Sequence, residues 1–198
     1  MQKTGTPSPV SLAAVIGDRV RTHRTSRGWT LEQLAERSRV SRRMLISIEQ
    51  GQANPSVATL LQIGDALGVG LPALVDAGEP APLRLGRHGE APVLWRGPNG
   101  GQALLVAGTE RPQVVELWDW TLAGGETHAS EAHASGTREL LLVTAGELRL
   151  RVGGRTELLG VGDSASFHGD LPHGYANAGD GATHFVLTVF QPEVGGAA

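Results

Sequence analysis

The apolar residues of this 198-residue chain follow two different spacings, one in each half. Through residues 12–75 they recur at the spacing of helices that bury one face. Beyond residue 90 they form short alternating or continuous runs between clusters of Gly, Asn, Asp and Pro, which predicts strands joined by turns. An α-helical first half and a β-sandwich or small barrel are therefore expected. The predicted strands are 91–96, 102–108, 113–122, 139–144, 147–152, 155–160 and 183–190.

Residues 30–51 carry the clearest local signal, which is for two short helices joined by a tight turn. Thr30 and Gln33 have the spacing of a capping box. In this motif the threonine hydroxyl accepts a hydrogen bond from an early backbone N–H of the helix, and the Gln33 side chain reaches back to the backbone N–H of Thr30. Ser41 is a suitable N-cap for the second helix, and Gly51 is a suitable stop at its C-terminus. Two helices arranged in this way have the layout of a helix-turn-helix DNA reader.

The second of these helices separates into an apolar face and a polar face at about 100° per residue. The apolar face, Met44, Leu45 and Ile48, is expected to pack on the preceding helix. The other face is expected to point outward, where arginine can pair with guanine and isoleucine can touch a thymine methyl group. The alternative interpretation is a solvated helix with two surface arginines. The outward residues are Arg42, Arg43, Ile46 and Gln50, with Ser47 at the margin.

Residues 12–75 resemble the Cro/CI-type helix-turn-helix domain of the XRE family, which is a five-helix bundle. The matching segments are RVRTHRTSRGWTLEQLAERS, VSRRMLISIEQG, NPSVATLLQIGDALGV and LPALV. The resemblance implies a double-stranded DNA operator as the partner. It also implies that Gln33 touches a phosphate and that residues 41–47 read the bases.

The resemblance adds one expectation about the core of this domain and one about its turn. Glu49 is expected to pack inward against an arginine of the first helix, either Arg24 or Arg21. The family often has glycine in the turn where this chain has Arg39. Because a positive φ is costly for most side chains, we expect a slightly altered turn and a phosphate-contact role for Arg39.

Composition narrows the class of protein further. The chain has no cysteine, which excludes disulfides, cysteine-ligated zinc fingers and thiol catalysis. It has no apolar run long enough for a membrane helix and no apolar signal core near its start, which fits a cytoplasmic protein. Residues 1–78 hold nine basic and six acidic side chains, whereas residues 79–198 hold eight and fourteen. The basic half is therefore the half with the DNA-reading pattern, as attraction to phosphate requires.

The change of spacing and a Gly/Pro-rich segment near residue 76 divide the chain into a helical domain and a β domain. We expect a flexible leader, a DNA-binding domain, a linker, a sensor domain and a tail. Their predicted ranges are 1–10, 11–76, 77–85, 86–192 and 193–198 respectively.

Two segments of the β domain, 125–146 and 162–177, carry candidate chemistry. Their spacings of Gly, His, Glu and Asn resemble the two conserved motifs of the cupin superfamily, a double-sheet jelly roll. The resemblance covers about residues 80–190. The matching positions are Gly125, Glu131, His133, Glu139 and Gly146 in the first segment, and Gly162, His173 and Asn177 in the second.

The resemblance implies a site for one divalent metal ion, held by Glu131, His133, Glu139 and His173. Imidazole and carboxylate together suit zinc, iron, manganese or nickel. The chain departs from the family pattern twice. Glu131 stands where histidine is usual, and the gap from His133 to Glu139 is one residue longer. The alternative is a barrel that has lost the ion and keeps both histidines hydrogen-bonded in its pocket.

Three aromatic residues and three further histidines are weaker candidates for the pocket. Trp118 and Trp120 lie two apart on a predicted strand, so they share a side that is either the sheet core or the pocket. Tyr175 shares a face with His173 and is the better candidate for a ligand contact. The remaining histidines are expected at the surface or the pocket rim, with His128 in a loop, His168 in a turn and His184 on a strand.

Both halves together resemble XRE-type regulators with a cupin sensor. The resemblance implies a sequence-specific regulator whose barrel binds a small-molecule effector or a metal ion and assembles a homodimer, without contact to a membrane. Two alternatives stay open. One is a cupin metalloenzyme with a DNA-binding head, in which Glu131 could act as a base. The other is a constitutive regulator whose barrel only dimerises.

Overall fold

The computed structural model describes residues 11–75, 83–110 and 113–192. The predicted leader, the tail and most of the predicted linker lie outside the described residues. In this described part of the chain five helices come first, and they confirm the expected five-helix domain. They are α1 (Leu12–Ser26), α2 (Leu31–Ser38), α3 (Arg42–Glu49), α4 (Val57–Leu67) and α5 (Leu71–Val75).

Side-chain caps and one close backbone approach fix the helical domain. Ser11, Thr30, Ser41 and Ser56 each accept a hydrogen bond from a backbone N–H of the helix that follows. The capping box at Thr30 is confirmed, with its hydroxyl accepting from Gln33 N at 3.2 Å and Gln33 Oε1 accepting from Thr30 N at 2.8 Å. A Cβ on Gly17 would collide with the carbonyl oxygen of Ile48, so glycine lets α1 approach α3 closely.

The core of the helical domain follows the predicted apolar spacing with one exception. Leu45 and Ile48 of α3 are fully buried against the other helices. Met44 was predicted to share that buried face, but its side chain is 43% exposed, so this prediction was wrong. Met44 lies at the edge of the helix face that the other helices cover. The fully buried apolar residues of the domain are Ile16, Val20, Leu34, Leu45, Ile48, Leu60, Ile63, Leu67, Leu71 and Leu74.

Within the described residues, ten antiparallel strands form two sheets, which confirms the double-sheet barrel. A six-stranded sheet has the order β1-β2-β3-β10-β5-β8, and a four-stranded sheet has the order β4-β9-β6-β7. The strands are β1 (Val93–Arg96), β2 (Gln102–Gly108), β3 (Val114–Leu122), β4 (Thr127–Ser130), β5 (Arg138–Ala145), β6 (Leu148–Val152), β7 (Arg155–Leu159), β8 (Ser164–His168), β9 (His173–Asn177) and β10 (Thr183–Gln191).

All seven predicted strands are present, and three further strands were missed. The missed strands, β4, β8 and β9, have the sequences THAS, SASFH and HGYAN. They are short and carry small or polar residues, so no apolar alternation marks them. Sheet pairing defines them instead, since β4 pairs with β9 and β8 pairs with β5.

The helical domain and the barrel touch through α5. A Cβ on Gly108 of β2 would collide with the ring of Pro72, and one on Gly70 would lie 2.7 Å from Val114 Cγ2. Glycine at both positions makes room for these side chains, which pack directly against the backbone at Gly70 and Gly108. This contact brings the helical domain to the barrel end at which β3 begins and β10 ends.

Candidate functional site

The outward face of α3 is a basic, exposed surface. Its first turn begins at the exposed N-cap Ser41, whose side chain accepts from Met44 N at 3.2 Å. Arg42, Arg43 and Gln50 are exposed, and Ile46 and Ser47 are half-buried. Ser41 and the five outward positions of α3 are therefore all accessible from solvent. Whether they contact DNA remains a prediction.

An internal ion pair holds α3 against α1. Arg24 Nε lies 2.7 Å from Glu49 Oε1, and Arg24 Nη2 donates to Glu49 Oε2 at 2.8 Å, so the pair is bidentate. Arg21 Nη2 also donates to the backbone oxygen of Glu49 at 2.7 Å. The expected contact of Glu49 with an arginine of the first helix is confirmed for both candidates. It fixes the orientation from which α3 presents its outer face.

In the turn before α3, Arg39 adopts the left-handed backbone conformation that is costly for most side chains. Arg39 has φ 57° and ψ 21°, and among the described residues no other non-glycine residue has a positive φ. Its side chain is exposed beside α3. On the same surface Arg42 Nε lies 2.6 Å from Glu32 Oε1, so one predicted base-reading residue is already paired with a carboxylate. Gln33 commits its oxygen to the cap, which leaves its amide nitrogen available as a hydrogen-bond donor.

The barrel brings together three of the four predicted metal ligands. His133, Glu139 and His173 each offer a ligand atom, and these atoms lie within 4.8 Å of one another. The Nε2 atoms of His133 and His173 lie 3.4 Å and 3.2 Å from Glu139 Oε1. Glu139 and His173 are fully buried, and His133 is half-buried. We call these three residues the His–Glu group.

Hydrogen bonds around the His–Glu group leave room for a positive charge at its centre. His173 Nδ1 lies 2.8 Å from the carbonyl oxygen of Leu171, so Nδ1 donates and a neutral His173 has its lone pair on Nε2. Tyr175 Oη donates to Glu139 Oε2 at 2.7 Å, and the buried Oε1 has no hydrogen-bond partner among the described residues. A lone pair facing a carboxylate oxygen at 3.2 Å needs a proton or a cation between them. The donor set therefore fits a divalent metal ion.

Glu131 is not brought to the His–Glu group. Strand β4 ends at Ser130, and Glu131 lies exposed in the loop that follows it. His168 ends β8 and has its Nδ1 3.3 Å from Asp170 Oδ1 on the surface. His184 lies on β10, as expected, with Nδ1 3.0 Å from Thr121 Oγ1. The cavity that contains the His–Glu group is therefore lined by His128, His133 and His173, and not by His168 or His184.

Trp118, Trp120 and Tyr175 line the same cavity as the His–Glu group. The two tryptophan rings lie 6.3 Å apart, and Trp120 stacks on Phe185 at 5.7 Å, so these rings serve both the core and the cavity wall. The buried Trp120 Nε1 has no hydrogen-bond partner among the described residues. A buried donor without a partner is unusual in a folded protein, and it marks a place where a ligand or water can bind.

Two residues of the cavity were not predicted. Glu116 lies on β3 facing inward, and burial is the main cause that raises its pKa to about 7, with the nearby Glu139 adding to the rise. His128 lies on β4 rather than in the predicted loop, and burial followed by repulsion from the other two histidines lowers its pKa to about 4. An acidic residue inside the apolar run VVELWDWTL was the sequence signal for Glu116.

The cavity wall includes side chains of the helical domain. Val57, Leu61 and Leu71 from α4 and α5 line it together with the barrel residues. Its volume is about 50 Å³, which is small beside the roughly 300–1,000 Å³ of typical small-molecule sites. The cavity therefore has room for an ion with a few waters or for a very small molecule, and the DNA-binding domain forms part of its wall.

An exposed basic helix in a five-helix bundle, joined to a cupin barrel with a buried His–Glu group, defines the class of helix-turn-helix regulators with a cupin domain. The profile of the helix-turn-helix family matches residues 20–74, and that of the cupin domain family matches residues 118–190. None of the helices in the described residues combines the length and apolar character that crossing a membrane requires.

Comparison with known proteins gives the same class along most of the chain. The HTH-type transcriptional regulator SutR of Escherichia coli is 28% identical over 183 residues, covering 92% of this chain and 98% of that protein. The HTH-type regulator y4dJ of Sinorhizobium fredii is 33% identical over 74 residues, covering 37% of this chain and 96% of that protein. The crystal structure of an HTH_3 family transcriptional regulator from Vibrio cholerae has 26% identity and a TM-score of 0.68, covering 92% of this chain and 98% of that one. The chain belongs to the XRE-type HTH transcriptional regulators and carries a C-terminal cupin domain.

Proposed function

We propose that the barrel of this regulator senses a metal ion or small molecule, and that filling its cavity changes how α3 binds a double-stranded operator. One observation carries the proposal. The cavity that contains the His–Glu group is also lined by Leu61 and Leu71 of the DNA-binding domain. A ligand in this cavity is therefore in reach of both domains without any intermediate structure.

We infer that the outward face of α3 reads the operator in the major groove. Its exposure and its basic side chains support this role, since arginine forms bidentate contacts with guanine. Gln33 and Arg39 flank the helix and are suited to phosphate contacts, which position a protein without reading sequence. The base-reading set is Ser41, Arg42, Arg43, Ile46, Ser47 and Gln50.

The His–Glu group would hold the metal ion. Zinc, manganese, iron and nickel all accept imidazole nitrogen together with carboxylate oxygen. Leu171 fixes the tautomer of His173, and Tyr175 occupies one oxygen of Glu139 so that the other faces the histidines. A bound ion would supply a positive charge that attracts an acceptor atom of a second ligand. These contacts orient the group before any ion binds.

The small volume of the cavity supports coupling between the sensor and the DNA-binding domain. A ligand that overfills this cavity of about 50 Å³ would press on Leu61, Leu71 or the barrel wall. Such a ligand binds one arrangement of the two domains more tightly than the other. Differential affinity of this kind is the condition for a ligand to shift a conformational equilibrium.

A homodimer formed through the barrel is part of the proposal. The outer face of the six-stranded sheet exposes Leu117, Leu140 and Leu142, and the first two flank Thr188 in register. An apolar patch of this kind marks a protein contact, and a second copy would supply the second recognition helix that an operator half-site pair requires. We expect light scattering to give a dimer at micromolar concentration, and a monomer for Leu140→Lys.

The sensing role is tested by operator binding with and without metal. Fluorescence anisotropy would measure the affinity of the full chain for an operator selected from random DNA, in chelator and in Zn²⁺ or Mn²⁺. We expect the ion to change the affinity by about 5- to 150-fold, the usual range of coupling between two sites. The double variant His133→Ala/His173→Ala should bind DNA as the metal-free protein does, with no response to the ion.

His168→Ala is the matched control, because His168 lies on the barrel surface outside the cavity. It should respond to the ion as the unmodified protein does. An equal response in the double variant would exclude the His–Glu group as the sensor. A complete lack of response in the unmodified protein, to ions and to small molecules alike, would favour a barrel that only dimerises.

A further inference from the structure

The cavity contains a buried carboxylate that the His–Glu group does not use. We propose that Glu116 is the binding position for an effector that carries a protonated amine. The inference rests on the proposed sensing function, because it names the chemical class of molecule that the barrel would detect. Glu116 is only 2% exposed, and its Oε1 has no hydrogen-bond partner among the described residues.

The strand register places Glu116 in the same row of the six-stranded sheet as Glu139, two strands away. Glu116 of β3 pairs with Val189 of β10, and Val189 pairs with Glu139 of β5. Glu116 and Glu139 therefore lie in one row across the sheet, with their backbones about 10 Å apart at two strand spacings. Both side chains line the cavity. A ligand between them would meet a carboxylate on one side and the His–Glu group on the other.

Trp118 holds the Glu116 carboxylate so that one oxygen stays available. Trp118 Nε1 donates to Glu116 Oε2 at 3.0 Å, and the other oxygen, Oε1, receives no donor from the described residues. A buried carboxylate oxygen without a donor is costly in free energy. An ammonium group satisfies it with a charge-assisted hydrogen bond, which is stronger than a neutral one.

The charges around the cavity select against an anion. Glu116 and Glu139 line the cavity, and neither Lys nor Arg is present among its described lining residues. His128 stays neutral near neutral pH because its pKa is lowered to about 4 by burial and by the neighbouring histidines. In the metal-free protein, an ammonium group beside Glu116 would supply the positive charge that this side of the cavity lacks.

The aromatic walls fit an alkylammonium ion. Trp118, Trp120 and Tyr175 line the cavity, and the rings of Trp120 and Tyr175 lie 5.6 Å apart. Aromatic faces attract organic cations, most strongly where water is excluded. The small volume limits the group that enters this position to a short one, such as a primary amine at the end of a chain.

Three probes of similar size but different charge test the inference on the full chain. Isothermal titration calorimetry near pH 7.5 would compare ethylammonium, ethanol and acetate as ligands. We expect ethylammonium to bind at least tenfold more tightly than either of the others. Glu116→Gln, which keeps the shape and removes the charge, should weaken ethylammonium binding at least tenfold. Glu131→Gln, an exposed carboxylate outside the cavity, should bind it as the unmodified protein does.

Two results would overturn the inference. One is ethylammonium binding that is absent or no tighter than that of acetate or ethanol. The other is equal binding by Glu116→Gln, once thermal unfolding has shown that this variant is folded. The test is separate from that of the sensing role, because it measures binding without DNA. Amine binding without any effect on operator affinity would contradict the proposed function and leave Glu116 as a binding position.

Discussion

The candidate sites of the two domains differ in the burial of their charged side chains, which are exposed in the helical domain and buried in the barrel. The helical domain presents Arg39, Arg42 and Arg43 to solvent around α3, where they can be reached by a large polyanion. The barrel instead encloses Glu116 and Glu139, which are 2% and 1% exposed. A charge outside serves binding with little effect on folding, whereas a charge inside affects both. The difference predicts which substitutions alter function alone and which alter stability as well.

Glu49 is the exception in the helical domain, since its charge is buried, and it gives the largest expected effect. Glu49→Ala leaves the Arg24 guanidinium, whose side chain is only 13% exposed, without its bidentate partner. Breaking a buried pair in this way typically costs about 3–5 kcal/mol. We expect the helical domain to unfold at much lower urea concentration, as followed by circular dichroism at 222 nm.

The matched control is Glu32→Ala, because Glu32 pairs with Arg42 on the surface, where both side chains are more than half exposed. Exposed pairs contribute little to folding, so its urea midpoint should be unchanged. Similar urea midpoints for Glu49→Ala and Glu32→Ala would contradict the claim that the buried ion pair of this domain contributes more to its stability than the exposed one.

The second prediction concerns the charge inside the barrel. Burial raises the pKa of Glu116 from its ordinary 4.5 to about 7, so the folded state favours the protonated acid. The stability lost to ionising this group grows as pH rises from about 4.5 to 7 and is complete above that range. At about 1.4 kcal/mol per pKa unit, the loss amounts to about 3 kcal/mol.

Glu116→Gln should therefore gain stability relative to the unmodified protein between pH 5 and pH 8, by about 3 kcal/mol in chelator. Urea unfolding of both proteins at each pH would measure the difference. His128 titrates in the same way in both proteins, so its contribution cancels. A difference that stays constant with pH would contradict the prediction, because it would mean that folding leaves the pKa of Glu116 unchanged.

The same contrast explains how much could be predicted from the sequence. The residues predicted to contact DNA lie within 30–51, on helices whose caps and apolar spacing are local features of the sequence. The fold and the exposed face of α3 could therefore be predicted together. Local periodicity failed at Met44, because the extent to which neighbouring helices cover a helix edge is a property of tertiary packing.

In the barrel the sequence predicted the His–Glu group and the aromatic residues Trp118, Trp120 and Tyr175 of its cavity, but not Glu116 or His128. Glu116 and Glu139 are separated by more than twenty residues along the chain. They line one cavity because β10 pairs with both of their strands and so brings β3 and β5 into the same sheet. Glu131 had the motif spacing, yet it follows the end of β4 and lies exposed outside the His–Glu group. Spacing along the chain fixes neither strand pairing nor side-chain direction, and these two properties decide which residues share a cavity.

The third prediction tests the outward charges of α3 by DNA binding. Arg43→Ala should weaken binding to the selected operator by about 1–3 kcal/mol if it pairs with a base. Gln33→Ala should weaken binding more evenly across sequences, since a phosphate contact reads no base. Anisotropy with the operator and with single-base variants would separate the two effects, while urea midpoints should stay unchanged. An Arg43→Ala protein that binds the operator normally would contradict a base-reading role for this residue.

The smallest expected effect concerns Glu32, the carboxylate that pairs with Arg42, a residue predicted to read bases. Arg42 Nε lies 2.6 Å from Glu32 Oε1, so the arginine must leave this partner before it can contact a base. Glu32→Gln removes the competing charge and one source of repulsion toward phosphate. We expect operator affinity to rise a few-fold at low salt and less at high salt, because exposed charges are screened. The change should vanish in an Arg42→Ala background. An equal gain with and without Arg42 would mean that Glu32 acts through general repulsion of DNA and not by holding the arginine.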